Sequence, residues 1–216
     1  MKKTLLIVFY VSIIACTSVY IPKSYRGTAF KTQSIPGKIE CELYDRGGEG
    51  IAYHDSDALN NGSGKLNPAN GTYLNEFRMN EGVDISYTKS NNIDNNPFNK
   101  TIPLLDHLYV GWTVPGEWIN YSINVKKSGV YKIAAMYTAN GDGAISFDID
   151  NKPATGELKI PSTHNDADTV AWRQWHHWNR VDSLTSLKIA KGKHLITLHI
   201  VQHGQMNFDY FEFARQ

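Results

Sequence analysis

Two glutamates, Glu40 and Glu42, flank a cysteine in the stretch Lys38-Ile39-Glu40-Cys41-Glu42-Leu43. On a strand, positions i and i+2 share a face, so these carboxylates repel each other unless a cation or a basic side chain sits between them or water screens them. A hard divalent cation takes roughly six to eight oxygen ligands and would satisfy such a pair with help from further carboxylates and carbonyls. Spacing alone leaves this open against two solvated surface acids. A second set is the five tryptophans, Trp112, Trp118, Trp172, Trp175 and Trp178. An indole can stack on the C–H face of a sugar ring, while its polar neighbours read hydroxyls. The competing fate of a large aromatic is the core. Zinc is a poor reading of the eight histidines: His194 and His199 have opposite strand parity and His176-His177 are adjacent, so no common face collects them and surface positions are expected. Glycoside hydrolysis needs only two carboxyls roughly 5–9.5 Å apart. Glu49, Glu81, Glu117 and Glu157 are available, and nothing in their spacing singles out a pair.

The elements that must hold these groups read as strands. Ile119, Tyr121, Ile123 and Val125 alternate with polar positions, as do Ile145, Phe147 and Ile149, then Ile196, Leu198 and Ile200, and Tyr131, Ile133, Ala135 and Tyr137 recur at every second position. Turn chemistry separates them at Lys127-Ser128-Gly129, Asn140-Gly141-Asp142-Gly143, Asp150-Asn151-Lys152-Pro153, Lys191-Gly192 and His203-Gly204. No long stretch has a helical period. The pattern predicts an all-β fold, an antiparallel β-sandwich. Residues 60–107 are rich in asparagine and glycine and read as irregular loops, the usual seat of specificity.

At the start, Lys2-Lys3 precedes an apolar run from Leu5 to Ala15, shorter than the roughly twenty residues of a spanning helix. Residues 1–15 therefore read as a signal peptide. Ile13-Ile14-Ala15-Cys16 is similar to a bacterial lipobox, which implies lipidation of Cys16 and membrane attachment through acyl chains only. Residues 17–35 show no apolar period and read, with Cys16, as a lipid-anchored tether. With only Cys16 and Cys41 no disulfide framework is expected, and Cys41 is expected in the core. Across the 216 residues 22 basic and 21 acidic side chains nearly cancel, which removes the electrostatic basis for nucleic-acid binding.

Residues 36–216 resemble carbohydrate-binding module family 6. The resemblance rests on the opening stretch from Pro36 to Asp45, the closing stretch Met206-Asn207-Phe208-Asp209-Tyr210-Phe211-Glu212-Phe213, and the central Gly111-Trp112, Trp118 and Ala171-Trp172-Arg173-Gln174-Trp175 segments. It implies a jelly-roll sandwich in which Glu40, Glu42 and Asp209 hold a structural calcium. Trp112 and Trp172 would face the sugar across a cleft, Asn207 would hydrogen-bond it, and Trp118 and Trp175 would pack inside. Family members commonly carry Gly-Gly where this chain has Val170-Ala171, Trp178 is an additional aromatic, and residues 86–107 are longer than the usual loop. Tyr53, His54 and Asp55 lie in a loop that reaches the cleft edge in several members. The expected function is non-catalytic binding of a β-glucan, xylan or agar-type galactan, by a monomer anchored in the bacterial cell envelope at the outer membrane. Glycan-degrading enzymes in the same envelope are its expected partners. The alternatives are a glycoside hydrolase acting on the same glycans, as catalytic or accessory domain, and a structural envelope protein without a working cleft.

Overall fold

The alternating stretches form the long strands of two facing sheets, as a computed structural model of the chain shows for residues 20–216. The expected signal peptide, residues 1–15, and Cys16 lie outside the described residues. In chain order the strands are β1 (Gln33–Ile35), β2 (Gly37–Glu40), β3 (Tyr53–His54), β4 (Ser63–Gly64), β5 (Asn67–Pro68), β6 (Ile85–Tyr87), β7 (Leu108–Val110), β8 (Trp118–Val125), β9 (Gly129–Ala139), β10 (Gly143–Ile149), β11 (Lys152–Pro153), β12 (Leu158–Ile160), β13 (Asn179–Ile189), β14 (Gly192–Gln202) and β15 (Met206–Arg215). One sheet runs β1-β8-β14-β10-β11, with β3 on β8 and β12 on β10; the other runs β13-β9-β15-β7-β6, with β2 on β15. Pairing in these two sheets is antiparallel except where β1 joins β8. This is the antiparallel sandwich of the jelly-roll class.

The core lies between the sheets, where Ile119, Tyr121 and Ile123 of β8 and Ile196, Leu198 and Ile200 of β14 meet Tyr131, Ile133 and Tyr137 of β9 and Phe208, Phe211 and Phe213 of β15. Cys41 is fully buried among them. The positions between those residues face outward, and on the second sheet they build a smaller cluster of Tyr109, Met136, Trp178 and Tyr210. Its lid is the β6–β7 connection. That insert is closed at its neck by Thr88 N–H donating to the His107 carbonyl and Asp106 N–H to the Thr88 carbonyl.

Three expectations are corrected. Residues 20–35 are part of the fold: Tyr20 stacks on His194 at 4.5 Å, Tyr25 Oη donates to Asp45 at 2.7 Å, and Gln33–Ile35 pairs with Ile123–Val125. Aromatic and backbone pairing hold this stretch where apolar periodicity is missing. Glu42 does not share a strand with Glu40, because β2 ends at Glu40 and Cys41–Leu43 form a 3-10 turn. Nor are the histidines uniformly superficial, since His176, His177 and His194 are buried against Asp94, Asp168 and Asp150.

Candidate ligand site and acidic cluster

Gly111 and Trp112 follow directly on β7, and the close approach of β15 dictates the residue types. A Cβ on Gly111 would sit 2.7 Å from Asn207 Oδ1, so glycine alone leaves room. Trp112 has φ +49°, a left-handed conformation that costs a non-glycine residue on the order of 1–2 kcal/mol. Its backbone N–H donates to Asn207 Oδ1 at 3.1 Å. The indole is half-buried.

Asn207 is 0% exposed. Because its Oδ1 accepts from a backbone N–H, the amide orientation is fixed, and Nδ2 donates to Thr138 Oγ1 at 2.9 Å and to His176 Nδ1 at 3.0 Å. His176 consequently carries its proton on Nε2 and donates it to Asp94 Oδ1 at 2.5 Å, which also accepts from Trp178 Nε1 at 2.8 Å. Burial would raise the Asp94 carboxyl, but the bonds from His176 and Trp178 and the backbone N–H of Lys89 hold it below the usual carboxylate range. The direct sugar contact expected of Asn207 is thus corrected. In this structure it is an interior pin that joins the Trp112 turn, the 171–178 segment and the insert.

Trp172 lies on the 3-10 turn Ala171–Arg173 and is 57% exposed, far more than a core aromatic. The turn is braced by Arg173, whose Nε donates to the buried Asp168 at 2.6 Å and whose Nη1 donates to the Asn92 carbonyl of the insert. Trp175 is half-buried with its ring edge-on to His176, and Trp178 is fully buried, so Trp178 does not extend a surface. Trp118 differs from the expected interior position: it alternates with the inward Ile119 and is half-buried on the outer face, 6.4 Å from the His54 ring. The structure therefore joins the segments carrying Trp112 and Trp172 through Asn207 and His176, and leaves Trp172 as the accessible indole. Beside Trp112, a cavity of about 500 Å³ is lined by Thr113, Val114, Pro115, Asn140, Gly141, His203, Gly204 and Gln205. Tyr53 is buried with its hydroxyl accepting from Gly82 N–H, and Asp55 borders a second cavity with Glu49, Asp57 and Gly82. Burial, with Glu117 and Asp84 nearby, pushes the Asp55 carboxyl up to about 7.

The acids come together at the junction of β2 with β15. Ligand atoms of Glu40, His107 and Asp209 lie within 4.8 Å of one another. Gln33 fixes the end of β2 by donating Nε2 to the Glu40 carbonyl and accepting from Glu40 N–H at 2.7 Å. Glu40 Oε2 and Glu42 Oε2 are buried without a hydrogen-bond partner among the described residues. Burial, with Glu40 and Asp209 nearby, pushes the Glu42 carboxyl up to about 8. Burial and Asp209 also raise the Glu40 carboxyl. His107, whose Nδ1 meets Asp209 Oδ1 at 2.8 Å, is raised to about 9 by that hydrogen bond. Buried carboxyl oxygens without a donor are ligands a hard cation takes once they ionise, although Glu42 is not among the three residues whose ligand atoms converge. Sequence reasoning missed His107, His176 and Asp94. Their partners lie far along the chain, His107 and Asp209 being 102 residues apart, and no local spacing encodes such pairs.

The family model for carbohydrate binding module (family 6) matches residues 85–215, which include Trp112, Trp172, Asn207 and Asp209 but not Glu40 or Glu42. Similar solved structures include the module CsCBM6-3 from Clostridium stercorarium in complex with cellobiose, at 15% identity over 86% of this chain and 98% of that one, TM-score 0.49. A β-1,3-glucan binding family 6 module from Bacillus halodurans is similar at 15% identity over 85% and 99%, TM-score 0.47. A glycoside hydrolase family 43 arabinoxylan arabinofuranohydrolase from Bacillus subtilis in complex with cellotetraose is similar at 14% identity over 86% of this chain and 28% of that one, TM-score 0.50. No curated protein sequence matches. With the matched stretch covering more than half of its 216 residues, the chain belongs to carbohydrate binding module family 6.

Proposed function

We propose that this chain binds a polysaccharide without cleaving it, using Trp172 as the accessible stacking platform and the Trp112 turn as the opposing wall. The observation that carries this reading is an indole 57% exposed on a turn braced by a buried ion pair, within the stretch matched by a carbohydrate-binding family. A large aromatic held rigidly in water costs little further conformational entropy when a sugar ring covers it. The glycan classes proposed are β-glucan, xylan and agar-type galactan.

A structural calcium completes the proposal, with carboxylate oxygens from Glu40, Glu42 and Asp209. The two orphaned oxygens at Glu40 and Glu42 support it, and the ion would tie β2 and its following turn to β15. When bound, calcium supplies charge neutralisation and a staple between early and late strands; sugar contact remains with the aromatic residues. Lipidation at Cys16 and a place in the cell envelope beside glycan-degrading enzymes belong to the same proposal.

Affinity electrophoresis of the chain through gels containing β-glucan, xylan, agar-type galactan or no polysaccharide tests the reading. Retardation by one of these classes is expected, and equal mobility in all gels would contradict it.

A further inference from the structure

The insert that covers the second sheet carries a cavity of about 570 Å³ lined by Asn92, Asn95, Asn96, Pro97, Asn99 and Ile102. Its size is in the roughly 300–1,000 Å³ range of small-ligand sites. Two of the four amides are structural: Asn96 bridges the Ile93 carbonyl and Phe98 N–H, and Asn99 bridges the Asp94 carbonyl and Trp178 N–H. The other two are free to act. Among the described residues the Asn92 amide has no hydrogen-bond partner, and Asn95 uses only Oδ1, accepting from Asn92 N–H at 2.9 Å. Beside these polar groups, Ile102 is 87% exposed and Pro97 is also exposed.

The cavity is preformed. Asn91 and Asn92 both hold left-handed backbone conformations, the Asn92 carbonyl accepts from Arg173, and the Trp178 carbonyl receives Lys100 and Thr101 N–H. Asp94, locked by His176 and Trp178, anchors the middle of the insert. Arg173 is the chain neighbour of Trp172, so the cavity borders the turn that presents the exposed indole.

None of the lining side chains is charged. A carboxamide donates and accepts at once, which matches a hydroxyl that does the same. A carboxylate or sulfate entering here would shed water and meet no charged lining side chain, and the nearby Arg173 guanidinium is already engaged by Asp168 and the Asn92 carbonyl.

We infer that this asparagine-lined cavity is an additional subsite, continuous with the Trp172 platform, for an uncharged sugar unit of the bound glycan. Asn92 and Asn95 read hydroxyls there, and Pro97 and Ile102 cover C–H surface. The inference rests on the glycan-binding reading and narrows it to neutral chains.

Titration calorimetry tests it on the full chain, with neutral cello-, laminari-, xylo- and agaro-oligosaccharides from disaccharide to hexasaccharide and with oligogalacturonate as the anionic probe. The variant is Asn92→Gly with Asn95→Asp. Glycine keeps the left-handed backbone at Asn92, and aspartate keeps the Oδ1 that caps the loop while removing the donor and adding charge. The expected result is a gain in affinity with chain length that the double variant loses by about tenfold, with short ligands and melting temperature unchanged and oligogalacturonate weaker than the neutral ligands. The same length dependence in the variant and the parent, with Trp172→Ala abolishing binding, would overturn the subsite and leave glycan binding standing. Absence of binding of every oligosaccharide by the parent chain would overturn both.

Discussion

Asn207 sets the character of the site at the scale of single residues. Its three hydrogen bonds are internal, so Asn207→Ala would leave Trp112 N–H without its acceptor and Thr138 Oγ1 and His176 Nδ1 without a donor in a buried setting. The expected loss of stability is about 1–3 kcal/mol in denaturant unfolding. Trp172→Ala removes a mostly exposed ring, so its effect should fall on binding, with stability changing by less than about 1 kcal/mol. The acidic cluster gives a pH prediction. Glu42 is raised from an ordinary 4.5 to about 8 and His107 from 6.5 to about 9, so in calcium-free protein both favour the folded state most at low pH. Stability should fall as pH rises from about 4.5 to 9, and added calcium should restore it most at the upper end, where the ligands are ionised. Melting temperatures across this range, with chelator and with calcium, check the sign. Trp172 was legible in the sequence because a tryptophan beside turn residues is out of place in a core. Asn207 was legible as a site member but not in its role, since the groups that saturate it come from Trp112, Thr138 and His176 on three other segments.

Among the elements, periodicity revealed the long strands β8, β10 and β14 because each alternates large apolar and polar side chains, whereas β9 was marked by Tyr131, Ile133, Ala135 and Tyr137 at every second position although Ala134 and Met136 between them are also apolar and buried. It did not reveal β13. That strand lies at the sheet edge, presents only Val181, Leu184, Leu187 and Ile189 to the core, and changes register between Val181 and Thr185. A polar edge strand with a bulge has little alternation to read. The stretch 20–35 was missed for a related reason, being held by stacking, a tyrosine–aspartate hydrogen bond and one short parallel pairing. The insert between β6 and β7 read as a loop, and its order depends on Asp94. Replacing Asp94 with Leu would strand the Trp178 and His176 donors and unseat the insert. The expected outcome is changed Trp178 fluorescence and weaker glycan binding with the two sheets intact by far-ultraviolet circular dichroism. Because Asp94 is held below the ordinary carboxylate value of 3.8, its contribution is complete above that pH and is lost as pH falls further below it, so the same fluorescence change should appear on acidification.

On the scale of the whole molecule, the sandwich divides its labour. One end of the second sheet carries the Trp112 turn, the Trp172 turn and the insert, joined by one buried hydrogen-bond chain from Trp112 N–H to Asp94. The acidic cluster draws on Glu40 of β2 and Asp209 of β15, outside that hydrogen-bond chain, so the proposed ion and the proposed sugar site are separable. Chelation should therefore lower the melting temperature while affinity for the glycan changes by less than about threefold, a factor worth roughly 0.7 kcal/mol. The comparison that bears most directly on the central claim is affinity electrophoresis of the parent chain, Trp172→Ala and Asn207→Ala through the polysaccharide that retards the parent, each variant paired with a thermal melt. The account predicts that Trp172→Ala runs unretarded with a parental melting temperature. Retardation of Trp172→Ala equal to that of the parent would contradict it and move binding to another face, such as the one bearing Trp118 and His54.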